Sequence, residues 1–302
     1  MTLLPVSVPR RPLLVLLTAL ALLVALFPVI GPAPAAEAAG PRLSTTYVAT
    51  ANGQRPVYLS VPVGYPVKNG RVILLLHGAG SSPARMQAVS GMNGVAAGKG
   101  LLVATLQTIP VRGQSTGWNA GGCCDAGLIS KADDVGYVAA AVAMIRSRYR
   151  VPAANITIVG YSNGGMLGYR VICERPGLVG RLAAFHATRF QACKGGVSTP
   201  PTRLLDVQGT ADTTVPLAGI RHRFPAVLTA FEGAGVRAGC ARYVKLPYRV
   251  TRHRIDPTRF VWVGRGCSAP ATLLVVRGLG HQWTRSALID ETATAVRFAA
   301  AR

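Results

Sequence analysis

Acidic residues are scarce in this chain: 11 Asp and Glu stand against 33 Lys and Arg, a formal net charge of +22 over 302 residues. Such a surface attracts anionic polymers, acidic envelope components or nucleic acid without specificity. Specific nucleic-acid recognition is not expected, because the arginines are dispersed and no binding motif accompanies them. Neither C-x-x-C nor H-x-x-x-H spacing occurs, which argues against a structural or catalytic metal. No internal repeat and no linker divides the chain, so a single large domain is expected. The Gly-rich stretch His77-Gly-Ala-Gly-Ser-Ser82 lacks both the G-K-[ST] ending of a phosphate loop and the G-x-G-x-x-G spacing of a dinucleotide site. With those excluded, no metal or organic cofactor is expected.

What is present begins at the amino terminus. Arg10-Arg11 precede an apolar stretch from Pro12 to Ile30, and the small residues from Ala33 to Gly40 offer A-x-A cleavage sites after Ala35 or Ala38. Residues 1–38 therefore read as a secretory signal peptide rather than a retained membrane segment, and residues 39–302 as the domain. Export makes disulfides plausible, and the six cysteines form an even set. Cys173 with Cys193 and Cys240 with Cys267 are favoured, each pair flanking a loop. Cys123 and Cys124 are left as a vicinal bridge or as thiols. A bridge closing the 240–267 loop contributes about 3 to 4 kcal/mol by restricting the unfolded chain.

The chemistry is carried by Gly160-Tyr161-Ser162-Asn163-Gly164, which follows the apolar run Asn155-Ile-Thr-Ile-Val and precedes a helix-forming segment. In that context G-x-S-x-G becomes a sharp strand-to-helix turn with the serine hydroxyl exposed at its tip. A serine nucleophile needs a base and a group to orient the base. Arg203-Leu-Leu-Asp-Val-Gln reads as a strand whose following loop offers Asp212, and Thr272-Leu-Leu-Val-Val as another whose following loop offers His281. Reactive groups in open α/β sheets gather beyond the carboxyl ends of the strands, so Ser162, Asp212 and His281 can converge.

The competitors read differently. Asp206 lies inside an apolar run and is expected to be a strand residue with a local partner. His77 begins a turn, His186 ends an earlier strand, and His222 and His253 sit in basic, solvated stretches. Asp133 and Asp134 suit the first turn of a helix, where their charge meets the positive end of the helix dipole. For an oxyanion, one amide is expected from Asn163, directly after the serine. The other is expected from Ala79, where Gly78 and Gly80 let the backbone turn inward.

Six blocks in order carry a family resemblance: His77-Gly-Ala-Gly-Ser-Ser, Gly117-Trp-Asn-Ala-Gly-Gly-Cys-Cys124, Asp133-Asp-Val-Gly, Gly160-Tyr-Ser-Asn-Gly-Gly-Met, Gly209-Thr-Ala-Asp-Thr-Thr-Val-Pro and Gly280-His-Gln-Trp. From about residue 44 onward the chain resembles the secreted polyhydroxybutyrate depolymerase and feruloyl esterase group of α/β-hydrolases. Thr284-Arg285 stand where that group commonly has Pro-Gly. The resemblance implies an esterase with Ser162, Asp212 and His281 as its triad. The expected fold class is α/β, an α/β-hydrolase with a mostly parallel central sheet and helices on both faces.

Strands are expected near 54–62, 71–76, 101–106, 155–160, 181–186, 203–208 and 272–277, with helices near 83–98, 130–149, 163–175, 219–233 and 287–301. The expected function is a secreted serine esterase acting on a polyester or a feruloyl or acetyl ester. A catalytically idle envelope-binding protein and a serine peptidase are the alternatives. The segment carrying Arg242, Lys245, Arg249, Arg252, Arg254 and Arg259 is either a solvated basic hairpin or a contact for anionic surfaces.

Overall fold

Several short runs are apolar at almost every position, which suits strands covered on both faces. In the computed structural model, which describes residues 40–66, 68–110, 112–113, 115–124, 130–249 and 255–301, those runs form the middle of one sheet. Its strands are β1 (Arg42–Thr50), β2 (Gly53–Val61), β3 (Arg71–Leu76), β4 (Leu101–Leu106), β5 (Ile156–Tyr161), β6 (Arg181–Phe185), β7 (Arg203–Gly209), β8 (Arg242–Arg249), β9 (Ile255–Arg265) and β10 (Ala271–Val276). They lie in the order β1-β2-β4-β3-β5-β6-β7-β10-β9-β8. Pairing is parallel from β4 through β10 and antiparallel at both flanks.

The helices are α1 (Pro83–Ser90), α2 (Met92–Ala97), α3 (Asp134–Tyr149), α4 (Asn163–Glu174), α5 (Val227–Ala234) and α6 (Glu291–Ala300). Because side chains alternate along a strand, β3 feeds two separate cores. Val72, Leu74 and Leu76 join Tyr137 of α3, Leu167 of α4 and Phe231 of α5. Ile73 and Leu75 join Met86 of α1, Met92 of α2 and Val296 of α6. Helices thus cover both faces, as expected.

The expected elements shift where local chemistry decides. The predicted 83–98 helix breaks at Gly91, whose φ of 59° ends α1 and opens α2. The predicted 219–233 helix starts only at Val227, because Ile220 and Phe224 pair across a tight turn. The 287–301 helix starts at Glu291, with the Asp290 side chain accepting from the Ala293 amide. β1 was not expected. Most of its side chains are exposed, so it lacks the alternation that marks a half-buried strand. The basic segment proves to be the β8–β9 hairpin, which extends the sheet beyond β10. Arg252, His253 and Arg254 lie outside the described residues, as does the expected signal peptide. No helix among the described residues is long and apolar enough to cross a membrane.

All six cysteines are paired, as Cys173–Cys193, Cys240–Cys267 and the vicinal Cys123–Cys124. Asp133 and Asp134 open α3 but divide the work. Asp133 caps the helix by accepting from the Gly136 amide at 2.7 Å. Asp134 is buried in an ion pair with Arg55 at 2.7 Å, and its other oxygen accepts from the Asn119 amide at 2.7 Å. That second bond fixes the loop containing Trp118 to the start of α3, and this loop forms one wall of the site.

Candidate active site

At the end of β5 the chain turns at Ser162 directly into α4. Ser162 has φ 52° and ψ −122°, a backbone region that residues with side chains rarely occupy. The turn closes only around glycine. A Cβ on Gly160 would sit 2.5 Å from the Gly164 carbonyl oxygen, and one on Gly164 would sit 2.4 Å from that of Leu76. The Ser162 amide donates to the Phe185 carbonyl at 2.8 Å, locking the tip over β6.

The loops after β7 and β10 bring the other two expected residues to this tip. His281 Nε2 lies 3.0 Å from Ser162 Oγ, and His281 Nδ1 lies 2.8 Å from Asp212 Oδ2. Asp212 Oδ1 accepts from the amides of Thr214 and Val215 at 2.9 and 2.8 Å. Burial alone would raise the Asp212 pKa, but hydrogen bonds from His186, His281 and the Val215 amide outweigh it and hold the carboxyl well below the usual carboxylate range. The Tyr161 hydroxyl donates to the His281 carbonyl oxygen, which steadies the loop that carries the imidazole. The structure joins Ser162, Asp212 and His281, the three residues expected from sequence to converge, in one hydrogen-bonded line. The arrangement can transfer a proton from the serine hydroxyl to an imidazole whose other nitrogen is held by a carboxylate.

Ala79 and Asn163 flank the serine. Ala79 lines the same cleft as Ser162 and His281. Asn163 is the first residue of α4, where amides have no acceptor within the helix. The Asn163 side chain has a second task. Its Oδ1 accepts from the Trp118 amide at 2.6 Å, and its Nδ2 donates to the Trp118 carbonyl at 3.1 Å. Trp118 in turn donates its indole N–H to the His77 carbonyl at 2.7 Å. One buried tryptophan therefore ties the His77–Ala79 loop to the start of α4, so the two candidate oxyanion amides are held by a common strut. The cleft has a volume of about 510 Å³, with Tyr161, Met166, Val215, Phe224 and the Cys123–Cys124 pair among its walls.

The other acids and histidines fall as follows. Asp206 is fully buried and accepts from the Tyr169 hydroxyl at 2.5 Å and from Gln208 Nε2 at 3.2 Å, so it has the local partners expected of it. Burial raises its pKa to about 7 against the lowering effect of those donors. Since the folded value stands above the ordinary 3.8, its contribution to stability is complete below about pH 4 and is lost as pH rises through 7. The urea midpoint should fall across that window in the wild type. In Asp206→Asn, which cannot ionise, that part of the slope should disappear.

His77 is buried, with Nδ1 2.8 Å from the Gly78 carbonyl, and burial lowers its pKa. His222 is exposed at its turn. His186 departs from its reading as a plain strand end. It lies fully buried beside the acid, with Nδ1 3.1 Å from Asp212 Oδ2 and Nε2 2.8 Å from Glu291 Oε1. The signal that could have found it was its place just past β6, at the same sheet edge as Asp212 and His281. His186, Asp212 and His281 place donor atoms within 4.8 Å of one another. Direct hydrogen bonds between imidazole nitrogens and carboxylate oxygens account for that approach without an ion.

No protein-family model matches this sequence. The chain is 28% identical over 161 residues to the "Putative esterase NocK" of Nocardia uniformis subsp. tsuyamanensis, a match covering 53% of this chain and 44% of that protein. It thus spans less than half the length of that relative. Among solved structures it is similar to the acetyl xylan esterase from Aspergillus awamori, at a TM-score of 0.58 and 14% identity over 84% of this chain and 99% of the other. It is also similar to the Bacillus cereus carboxylesterase, at a TM-score of 0.52 and 14% identity over 80% of this chain and 92% of the other. The chain has the α/β-hydrolase fold.

Proposed function

We propose that this protein is a secreted serine hydrolase of carboxylic esters. The observation that carries the reading is the unbroken hydrogen-bonded line from Ser162 Oγ through His281 to Asp212, at 3.0 and 2.8 Å, with the serine held on a strained turn facing a cleft. Ser162 Oγ attacks the ester carbonyl while His281 Nε2 takes its proton. The resulting oxyanion is met by the amides of Ala79 and Asn163, and the imidazolium is stabilised by Asp212. Collapse of the tetrahedral intermediate breaks the carbon–oxygen bond to the alcohol, which leaves with the proton from His281. Water then attacks the acyl-enzyme in the same sequence, releasing the acid and restoring Ser162. None of these steps requires a metal or organic cofactor.

Support for an ester rather than another acyl substrate comes from the names of the relatives above and from the ordered motifs of the sequence. Pairing of all six cysteines supports export, since such bridges persist in oxidising compartments. The substrate is read as a polyhydroxybutyrate-type polyester or a feruloyl or acetyl ester, and the excess positive charge favours nonspecific adsorption to anionic surfaces.

A panel of aryl esters graded by acyl length, with feruloyl and acetyl esters, hydroxybutyrate oligomers and matched anilides, tests the reading. Ester turnover exceeding anilide turnover by at least about tenfold, a difference of some 1.4 kcal/mol in barrier, is the expected result. Turnover of anilides alone would replace it with a peptidase.

A further inference from the structure

We propose that His186 and Glu291 extend the Ser162, His281 and Asp212 line into a five-residue chain, with the His186 imidazolium as a positioning residue that keeps Asp212 ionised and aimed at His281. The inference rests on the proposed function and adds two residues to it.

The geometry sets the protonation. His186 is completely buried, and each ring nitrogen faces a carboxylate oxygen, Asp212 Oδ2 at 3.1 Å and Glu291 Oε1 at 2.8 Å. Two carboxylates are both satisfied by one imidazole only if both nitrogens carry protons. Burial alone would lower the His186 pKa, but the bonds to Asp212 and Glu291 outweigh it and raise the value to about 9. Glu291 is held as firmly. It is buried, lies in the first turn of α6 where the helix dipole favours a negative charge, and its Oε2 accepts from the Thr284 amide at 2.8 Å. Other titratable groups facing His186 are His281 and Tyr161, with ring centroids 5.6 and 5.9 Å away, and Asp206, which feels its charge from β7.

Two consequences bear on catalysis. With His186, Asp212 receives four donors, two on each oxygen, so its carboxylate cannot rotate away from His281 Nδ1. Charge is also balanced. Asp212 and Glu291 with the His186 cation sum to one negative charge, which is what a lone acid would present to the His281 imidazolium. Because Glu291 Oε2 holds the Thr284 amide and Thr284 follows the His281 loop within three residues, the same carboxylate steadies the far side of the base.

The test reads Ser162 reactivity without assuming a substrate. A fluorophosphonate reacts when Ser162 Oγ attacks phosphorus, the P–F bond breaks, fluoride leaves, and the hydroxyl proton passes to His281. Its labelling rate across pH is measured by intact mass for wild type, Glu291→Gln and His186→Gln, with folding checked by circular dichroism. In Glu291→Gln one carboxylate remains, a neutral His186 can donate to Asp212 and accept from the glutamine amide, and the net charge beside His281 stays at one negative, so the acid limb of the labelling rate should stay where it is in the wild type. In His186→Gln the cation is gone, so the limb should move to higher pH. Each plateau should fall about ten- to a hundredfold, the range for displaced orienting groups. A limb that moves to higher pH in His186→Gln and stays in place in Glu291→Gln supports the proposal, since a merely structural role would lower both plateaus with both limbs unmoved.

A wild-type limb in His186→Gln, or the same shift in both variants, would overturn it while leaving the esterase reading intact. If His186→Gln does not fold, the imidazole ¹⁵N spectrum of the wild-type protein decides: a His186 ring protonated on both nitrogens at about pH 7.5 supports the proposal, and a neutral ring overturns it. Absence of labelling at Ser162 in the wild type would overturn the esterase reading, and the inference with it.

Discussion

Replacing Ser162 by alanine should leave the fold intact and lower kcat on a short-chain aryl ester by about 10⁴ to 10⁶. The fold is spared because the side chain contributes no cap to α4, and the hydrogen bond that fixes the turn is made by its backbone amide to Phe185. Alanine also suits the site sterically, since it adds no atom to the strained turn. Activity falls because Ser162 Oγ is the hydroxyl that reaches His281 Nε2, at 3.0 Å, so in the variant water must attack without a covalent intermediate. On the proposed mechanism, what remains is stabilisation from the Ala79 and Asn163 amides and substrate binding. Steady-state kinetics together with a thermal melt check both halves. Retention of a tenth of the activity would remove Ser162 from the mechanism.

Asp212→Asn should cost roughly 10⁴ in kcat through the tautomer of His281. The carboxylate now accepts on both oxygens, from two backbone amides on Oδ1 and from two imidazoles on Oδ2. An asparagine that keeps its oxygen toward the Thr214 and Val215 amides turns its NH₂ toward His281. Nδ1 must then accept, Nε2 carries the proton, and Ser162 loses its base. Asp206→Asn supplies the contrast. Its partners are Tyr169 and Gln208, neither of which touches Ser162 or His281, so stability and its pH slope should change while kcat stays within a fewfold. Exchange of the two phenotypes would reverse the assignment of the acid.

The legible part of this site was the part with local signatures. G-x-S-x-G between an apolar run and a helix specifies its own turn, because positions 160 and 164 leave no room for a Cβ. Asp212 and His281 were legible because each follows a buried strand, and parallel strands deliver their following loops to one edge. His186 occupies the same edge after β6, yet reading it as functional required knowing that α6 returns Glu291 to its other side. That contact spans 105 residues and leaves no local trace. The amide that Thr284 gives Glu291 exists because the position is not proline, the residue common there in the resembled group.

The Trp118 strut was illegible for the same reason, since its partners His77 and Asn163 lie 41 and 45 residues away. The outer strands were missed or recast because β1 and β8 are largely exposed, and their residues need not alternate. Helix starts were misplaced where caps and turns decided, at Asp133, Ala226 and Asp290.

The central claim is that Ser162 carries the acyl group. Acid-quenching the enzyme within the first turnover of a slow aryl ester, followed by digestion and peptide mass mapping, tests it most directly. The account predicts one acyl group per molecule on the peptide containing Ser162, absent from Ser162→Ala. Ester hydrolysis at the wild-type rate with the acyl group on another residue, or with none at any time, would contradict it.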